Sequence, residues 1–391
     1  MHRNEGENMT SGALFPTFPP YGVLTPEFMN AVQEELMAVI ENAGLPILSK
    51  SNDTRNQILT AIQRLGQSYD YYVASQASFV ALFERTGANT YSIKGDYDSV
   101  YFKKVIGGYS VSAILSGGDT WGDLYTNACE HLEFENGAYI NFGALKGNLT
   151  VNTDGCYVHN ADVRGNGGSG AIVESFKLGA SRVTFDNCKC NTRLSSVDMV
   201  GFQGSGTALH NITSKYINCS AYSLDGADKL YGFKDCMNLQ NCLAYDLDNS
   251  SGTDLCAGFH TCSQISSCNA SSLNSNQITS GFHTCSQISS CNASSLDSVS
   301  ITHGFNSCNQ ISSCLVDNIN SDGTAVGFNS CHQISSCLSS NITGSAASYG
   351  FSSCVYGAAL FTDEVANTSN DWMNTDDAQI TNKFSVPAVF T

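Results

Sequence analysis

Apolar residues recur along the second half of the chain at a fixed period, and the residues between them are small and polar. Five Gly-Phe pairs stand 23 residues apart, beginning at Gly258, Gly281, Gly304, Gly327 and Gly350, and more widely spaced pairs begin at Gly201 and Gly232. Within the units that begin at Gly258, Gly281, Gly304 and Gly327, Cys, Ile, Cys and then Leu or Ile follow at constant offsets, separated mostly by Ser, Asn, Gln and Thr. No segment of these units carries apolar residues at helical spacing. A period of this size is typical of a stacked solenoid.

The recurring apolar positions predict columns of like side chains inside a tube. We therefore predict a mainly β fold, a right-handed parallel β-helix over residues 131–354, in which each coil adds one strand layer of ~4.8 Å. The buried columns are represented by Phe259, Phe282, Phe305, Phe328, Cys262, Cys268, Cys285 and Cys291. We expect the Gly of each Gly-Phe pair to supply a left-handed or tightly turned backbone at a corner.

Residues 1–66 predict an extended start followed by two short helices. Thr25, Pro26 and Glu27 supply an N-cap, a proline at the first helical position and an acid in the first turn. The apolar stripe of the two helices comprises Phe28, Val32, Leu36, Val39, Ile58 and Ile62. Because two short helices make a poor core, this stripe either packs on itself or contacts partner chains.

The segments that flank the β-helix lack its repeat. Residues 67–130 predict a connector with a further helix over 67–85 and alternating β-rich stretches after it. Residues 355–391 lose the repeat, and we predict that they cap the open end of the solenoid, where strand edges would otherwise be exposed.

The charge distribution argues against anionic binding partners. The formal net charge is −17, and no Lys or Arg occurs between Lys234 and Lys383. Nucleic-acid binding needs clustered basic residues against phosphates, and anionic membranes need the same, so neither partner is expected. No stretch approaches a transmembrane span. Neutral, hydroxyl-rich ligands such as glycans, or other protein subunits, fit this composition.

The 17 cysteines are predicted to be buried, reduced thiols that act as small apolar fillers. Their odd number favours this state, as does the N-terminus MHRNEGENMT, which has no apolar segment of a secretory signal and predicts synthesis in a cytoplasm. Disulfides between stacked coils are the alternative, because stacked columns would bring sulfurs within bridging distance. The repeat cysteines are six residues apart, which does not match zinc-ligand spacing, and we expect neither a metal nor a cofactor.

Several segments resemble phage and prophage tail fibre proteins. FPPYGVLTPEFMNAVQEELMAVIENAGLPI, followed by NQILTAIQRLG, is similar to the N-terminal segment of many such fibres. GDTWGDLYTNACEHLEFENGAYINFG resembles the entry into their β-helices, and the GF..C....SC repeat resembles their shaft repeats. The resemblance implies a homotrimer in the virion tail, attached to tail or baseplate proteins through its N-terminus, whose distal part contacts host cell-surface polysaccharide.

β-Helix tailspikes of this kind often cleave polysaccharide, which makes a depolymerase, either a glycoside hydrolase or a lyase, the alternative function. Glycoside hydrolysis needs two carboxylates at a defined separation. Within residues 258–354 the only acids are Asp297, Asp317 and Asp322, so a catalytic site would lie on the 129–256 coils. The candidates there are Asp154, Asp186 and Glu174. Since no motif supports them, we predict a receptor-binding protein without catalysis.

Two further classes fit the sequence less well. TCSQISSC resembles small ice-binding repeats, but an ice-binding face needs a flat array of Thr, and the outward positions here are mostly Ser, Asn and Gln. A bacterial surface adhesin would need an export signal.

Overall fold

The computed structural model describes residues 69–95, 97–165, 167–168, 173–195, 198–205, 213–226, 228–249, 254–365, 372–373 and 381–385. The chain divides into two compact units, Met1–Tyr69 and Asp70–Thr391. The helices predicted from Phe28, Val32, Leu36, Val39, Ile58 and Ile62 lie outside the described residues, so their role stays a prediction.

The second unit is a parallel β-helix, which confirms the predicted fold class. Each coil of the repeat contributes one strand to each of three faces. Face 1 is a 13-stranded sheet, and faces 2 and 3 together form a 24-stranded sheet. Apart from the hairpin that starts face 1, the strands pair in parallel with their counterparts in the next coil, as in the Phe259–Phe282 and Ile265–Ile288 pairings.

The faces are defined by their strands. Face 1 comprises Phe83–Gly87, Thr90–Ile93, Asp123–Tyr125, Leu149–Val151, Val173–Leu178, Met199–Gln203, Leu230–Lys234, Leu255–His260, Ile278–His283, Ile301–Asn306, Thr324–Asn329, Ala347–Ser352 and Trp372–Met373. Face 2 comprises Tyr71–Val73, Ser99–Phe102, His131–Phe134, Tyr157–His159, Thr184–Asp186, Lys215–Ile217, Met237–Gln240, Ser263–Ser266, Ser286–Ser289, Asn309–Ser312 and His332–Ser335. Face 3 comprises Tyr109–Ser110, Ile140–Asn141, Asp162–Arg164, Gly167–Gly168, Lys189–Ser195, Ser220–Gly226, Leu243–Asn249, Asn269–Ser275, Asn292–Ser298, Leu315–Ser321, Leu338–Gly344 and Thr381–Ser385. Val355–Val365 continues faces 2 and 3.

The ladders extend beyond the predicted boundaries at both ends. Tyr71–Val73 already pairs in parallel with Ser99–Phe102, upstream of residue 131, where the sequence placed the first coil. Of the helix expected over 67–85, Gln76–Leu82 is helical, and Ser75 caps it by accepting a hydrogen bond from the Ser78 amide. A 3-10 turn covers Val111–Ala113. At the C-terminal end, Val355–Val365 pairs with Thr381–Ser385, so the coil pattern continues into the predicted cap.

The interior contains columns of stacked identical side chains. The rings of Phe259 and Phe282 lie 4.7 Å apart between centroids and 5° from parallel, and those of Phe305 and Phe328 lie 4.9 Å apart. Parallel stacks at this spacing follow from one strand layer per coil. All 17 cysteines are buried and unbridged. The Cys262 thiol lies 3.4 Å from the Phe233 carbonyl oxygen and 3.3 Å from that of His260, toward which its hydrogen can point.

Left-handed backbone belongs to polar residues of the coil, between strands at Thr261 and Ser267 and within strands at Gln264 and Ser272. The repeat glycines do not adopt it, contrary to the expectation from the sequence. Thr261, Gln264, Ser267 and Ser272 have φ values of 53°, 55°, 52° and 54°, and their equivalents in neighbouring coils repeat them. The repeat glycines lie inside face 1 strands with ordinary φ. Gly258 is required there because a β-carbon would lie 2.7 Å from the Ala270 β-carbon and 2.9 Å from the Gly281 carbonyl oxygen.

Candidate functional site

A cleft of about 360 Å³ opens on face 1, in the coils upstream of the regular repeats. We call it the face 1 cleft, and it is lined by Trp121, Asp123, Lys146, Gly147, Asn148, Glu174 and Lys177. The cleft lies along three neighbouring strands of face 1, in which Leu124, Leu149 and Phe176 are register partners. The cleft therefore depends on stacking of the longer coils, which lack the regular repeat.

Gly147 lets adjacent coils approach closely at the cleft. A β-carbon on Gly147 would lie 2.4 Å from the carbonyl oxygen of Gly122, and the φ of Gly147, +138°, is one that other residues rarely adopt. This contact brings the segment around Trp121 against the segment around Lys146. A side chain at position 147 would separate them.

A chain of hydrogen bonds orients the carboxylate of Asp123. The Thr150 hydroxyl donates to the Asn148 side-chain oxygen at 2.5 Å, and the Asn148 amide nitrogen donates to Asp123 Oδ1 at 3.2 Å. The first bond fixes which end of the Asn148 amide faces Asp123. Burial raises the pKa of Asp123 above its usual value; the positive charge of Lys177 opposes this shift, and the negative charge of Glu174 adds to it.

Glu174 supplies the second acid of the cleft. Its carboxylate lies 3.0 Å from the Lys177 ammonium, and its side chain is 16% exposed, against 45% for Lys177. Burial disfavours ionisation of Asp123, whereas Glu174 is held against a cation. Two carboxyl groups in one cleft thus have different electrostatic surroundings, which is the pattern that separates an acid from a base in glycoside hydrolysis.

An aromatic ring and a second cation complete the lining. The Lys146 ammonium lies over the Trp121 ring, 3.9 Å from its centroid. A cation over an indole face is held by the ring quadrupole, so this pair defines one wall. Together the walls offer ammonium donors, carboxylate and amide acceptors, and aromatic surface. This combination suits a hydroxyl-rich ligand with apolar ring faces, such as a sugar.

The structure brings Glu174 into the cleft but places the other two sequence candidates elsewhere. Asp154 lies in a turn, where it accepts a hydrogen bond from the Ser181 amide at 2.8 Å and lies 3.7 Å from Arg182. Asp186 ends a face 2 strand and accepts from the Tyr157 hydroxyl at 2.7 Å. Sequence reasoning missed Asp123, because it confined candidate acids to residues 129–256. The sequence carried no signal for Asp123, since Trp121, Leu124 and Tyr125 do not alternate with polar residues in TWGDLYTN.

The described residues include no group of three or more His, Cys, Asp or Glu side chains arranged to hold a metal ion. Among the same residues, no helix is long and apolar enough to cross a membrane.

Neither a protein-family model nor a curated protein matches the chain. Two solved structures show similarity. The A-module of mannuronan C-5 epimerase AlgE4 from Azotobacter vinelandii is 12% identical, with 81% of this chain and 98% of that chain covered and a TM-score of 0.22. The surface protein and adhesin PfbA of Streptococcus pneumoniae is 8% identical, with 89% and 99% covered and a TM-score of 0.20.

Proposed function

We propose that this chain is a receptor-binding structural protein of a phage tail fibre that contacts host cell-surface glycan. The observation that carries the glycan part is the face 1 cleft, where Trp121, Asp123 and Lys177 offer aromatic surface, an acceptor and a donor within one cavity. Sugars are bound by such combinations of a ring face and converging hydrogen-bonding groups. The net charge of −17 also favours an uncharged, hydroxyl-rich partner over nucleic acid or anionic lipid.

The attachment part of the proposal rests on the N-terminal sequence. Residues 1–66 would join tail or baseplate proteins of the virion, and the chain would assemble as a homotrimer. Three copies engaging one surface would strengthen weak glycan contacts through a raised effective concentration.

Adsorption to bacterial cells tests the glycan part. Labelled full-length protein is mixed with a panel of strains and with the same strains after removal of their surface polysaccharide. We expect adsorption that is lost with the polysaccharide, weakened by Trp121→Ala, and unchanged by Asp154→Asn, whose carboxylate lies in a turn outside the cleft. Adsorption that survives polysaccharide removal would contradict glycan recognition.

A second candidate function, polysaccharide depolymerisation, is favoured by one specific observation. Asp123 and Glu174 line the same cleft and interact electrostatically, and burial raises the pKa of Asp123, as a general acid requires. In this case Asp123 would protonate the leaving oxygen, and Glu174 would act as the second carboxylate.

Release of reducing ends or unsaturated uronates from the bound polysaccharide distinguishes the two functions. Binding without release supports the receptor-binding protein. Release that Asp123→Asn and Glu174→Gln abolish, and that Asp154→Asn and Asp186→Asn leave intact, establishes the depolymerase.

A further inference from the structure

A second surface, on face 3, has a step between a tyrosine wall and a floor of small polar residues. The rings of Tyr222 and Tyr245 stack with centroids 5.0 Å apart and planes 1° from parallel, so the upstream face of Tyr245 is covered. In the next coil, the register partner of Tyr245 is Ser271, and the partner of Ser271 is Ser294. A serine side chain is too small to cover a phenol ring. The downstream face of Tyr245 is therefore presented above a serine floor.

Polar side chains border this floor on both sides. Asn269 and Asn292 are register partners on one side, and Asn274 and Asp297 on the other. The floor ends at Asp317, the register partner of Ser294. From Tyr245 to Asp317 is three coil steps, roughly 14 Å. We call this surface the face 3 trough.

The charge of the trough selects the class of ligand. No Lys or Arg occurs between Lys234 and Lys383, whereas Asp297 and Asp317 border the trough. An anionic ligand would meet like charge and no counter-charge there. The trough instead offers serine hydroxyls, bordering amide groups, two carboxylates that accept, and one open aromatic face; the side-chain oxygens of Asn269 and Asn292 are buried, so these two amides can only donate.

We propose that the face 3 trough is a second glycan subsite, which takes a neutral, hydroxyl-rich sugar stacked on the downstream face of Tyr245. The apolar face of a pyranose packs against the phenol ring, and its hydroxyls reach the Ser271 and Ser294 hydroxyls and the bordering amides. The subsite lies on a different face from the face 1 cleft. It deepens the proposed function and rests on it, because both require that the chain recognises glycan.

The test uses two variants that prevent stacking on Tyr245 in different ways. Tyr245→Ala removes the stacking surface, whereas Ser271→Tyr extends the tyrosine ladder by one coil and covers the open face without removing Tyr245. Tyr245→Phe keeps the ring and serves as the matched control. The probe is an array of neutral oligosaccharides derived from dextran, mannan, galactan and cellulose, with folding of each variant checked by circular dichroism.

We expect neutral-oligosaccharide binding that is about fivefold to tenfold weaker in both Tyr245→Ala and Ser271→Tyr and retained in Tyr245→Phe. Binding that Trp121→Ala weakens but both trough variants leave unchanged overturns the second subsite and leaves the proposed function standing. No binding of the wild type to any member of the array overturns the trough. Whether the proposed function falls as well is then decided by adsorption to the bacterial strains, which does not depend on the array.

Discussion

Gly258 faces Ala270 across the interior of the tube, and a β-carbon on Gly258 would lie 2.7 Å from that of Ala270. The same relation recurs one coil later, where a β-carbon on Gly281 would lie 2.7 Å from that of Ala293. The Gly-Phe pair of each unit is therefore a packing device: glycine admits the facing strand, and phenylalanine fills the space beside it.

Gly258→Ala is predicted to destabilise the chain by about 1–3 kcal/mol, because the added methyl overpacks the interior and also approaches the Gly281 carbonyl oxygen. Chemical denaturation monitored by circular dichroism measures this. Gly226→Ala is the matched control: it too has ordinary φ, and its nearest contacts, at 3.5 Å, leave room for a methyl group. Equal stability of the two variants would contradict the packing role.

The cysteine columns are predicted to remain thiols, with their stability contribution coming from burial. Cys285 is 1% exposed, and its thiol lies 3.4 Å from the carbonyl oxygens of Phe259 and His283. Because a serine hydroxyl at that distance makes a poor hydrogen bond, Cys285→Ser should cost about 1–3 kcal/mol. Ser286→Ala, at the adjacent partly exposed position, should cost much less.

Alkylation of the unfolded protein without reductant, followed by intact-mass analysis, counts the thiols. Labelling of all 17 cysteines is the expected result, and a lower number would show that some sulfurs are bridged.

Stability should fall between neutral pH and pH 4 through His303. Burial, and next the neighbouring His283, lower the pKa of His303 to about 4, and its Nδ1 has no hydrogen-bond partner among the residues that the structure describes. His303 takes up a proton near pH 6.5 in the unfolded chain but only near pH 4 in the folded chain. The free energy of unfolding is therefore at its full value above pH 6.5 and decreases as the pH falls, by on the order of 3 kcal/mol at pH 4.

His303→Val, which repeats the Val326 found at the register position one coil later, should reduce this pH dependence. Thermal unfolding of both proteins from pH 7.5 to pH 4 provides the measurement. An unchanged slope in the variant would show that other groups carry the effect.

The repeated part of the fold was predictable from sequence for a physical reason. Each coil must place the same side chain over the same neighbour, so columns such as Phe259–Phe282 and Ile265–Ile288 appear directly as a period. The Ala270 column was missed because alanine is too common and too small to mark a column. The role of Gly258 was misassigned because the spacing of residues along the sequence does not show which positions lie close together across the tube.

The face 1 cleft was only partly predictable. Glu174 was a candidate as one of several acids on long coils, but its partner Asp123 depends on how unequal coils stack. That stacking relies on the close approach of Gly122 and Gly147, which neither composition nor period reveals. Acids such as Asp186, engaged by Tyr157, could be separated from the cleft only with the register known.

Glycan recognition by the face 1 cleft is tested most directly by the affinity of the full chain for purified surface polysaccharide from a strain to which it adsorbs. The measurement compares the wild type with a Trp121→Ala, Lys146→Ala double variant, which removes the aromatic–cation wall, and with Asp154→Asn as the control. We predict saturable binding by the wild type and the control and at least tenfold weaker binding by the double variant, since about 1.4 kcal/mol of lost contact corresponds to tenfold in affinity. Equal affinity of all three proteins, or no binding by the wild type, would contradict the proposed role of the cleft.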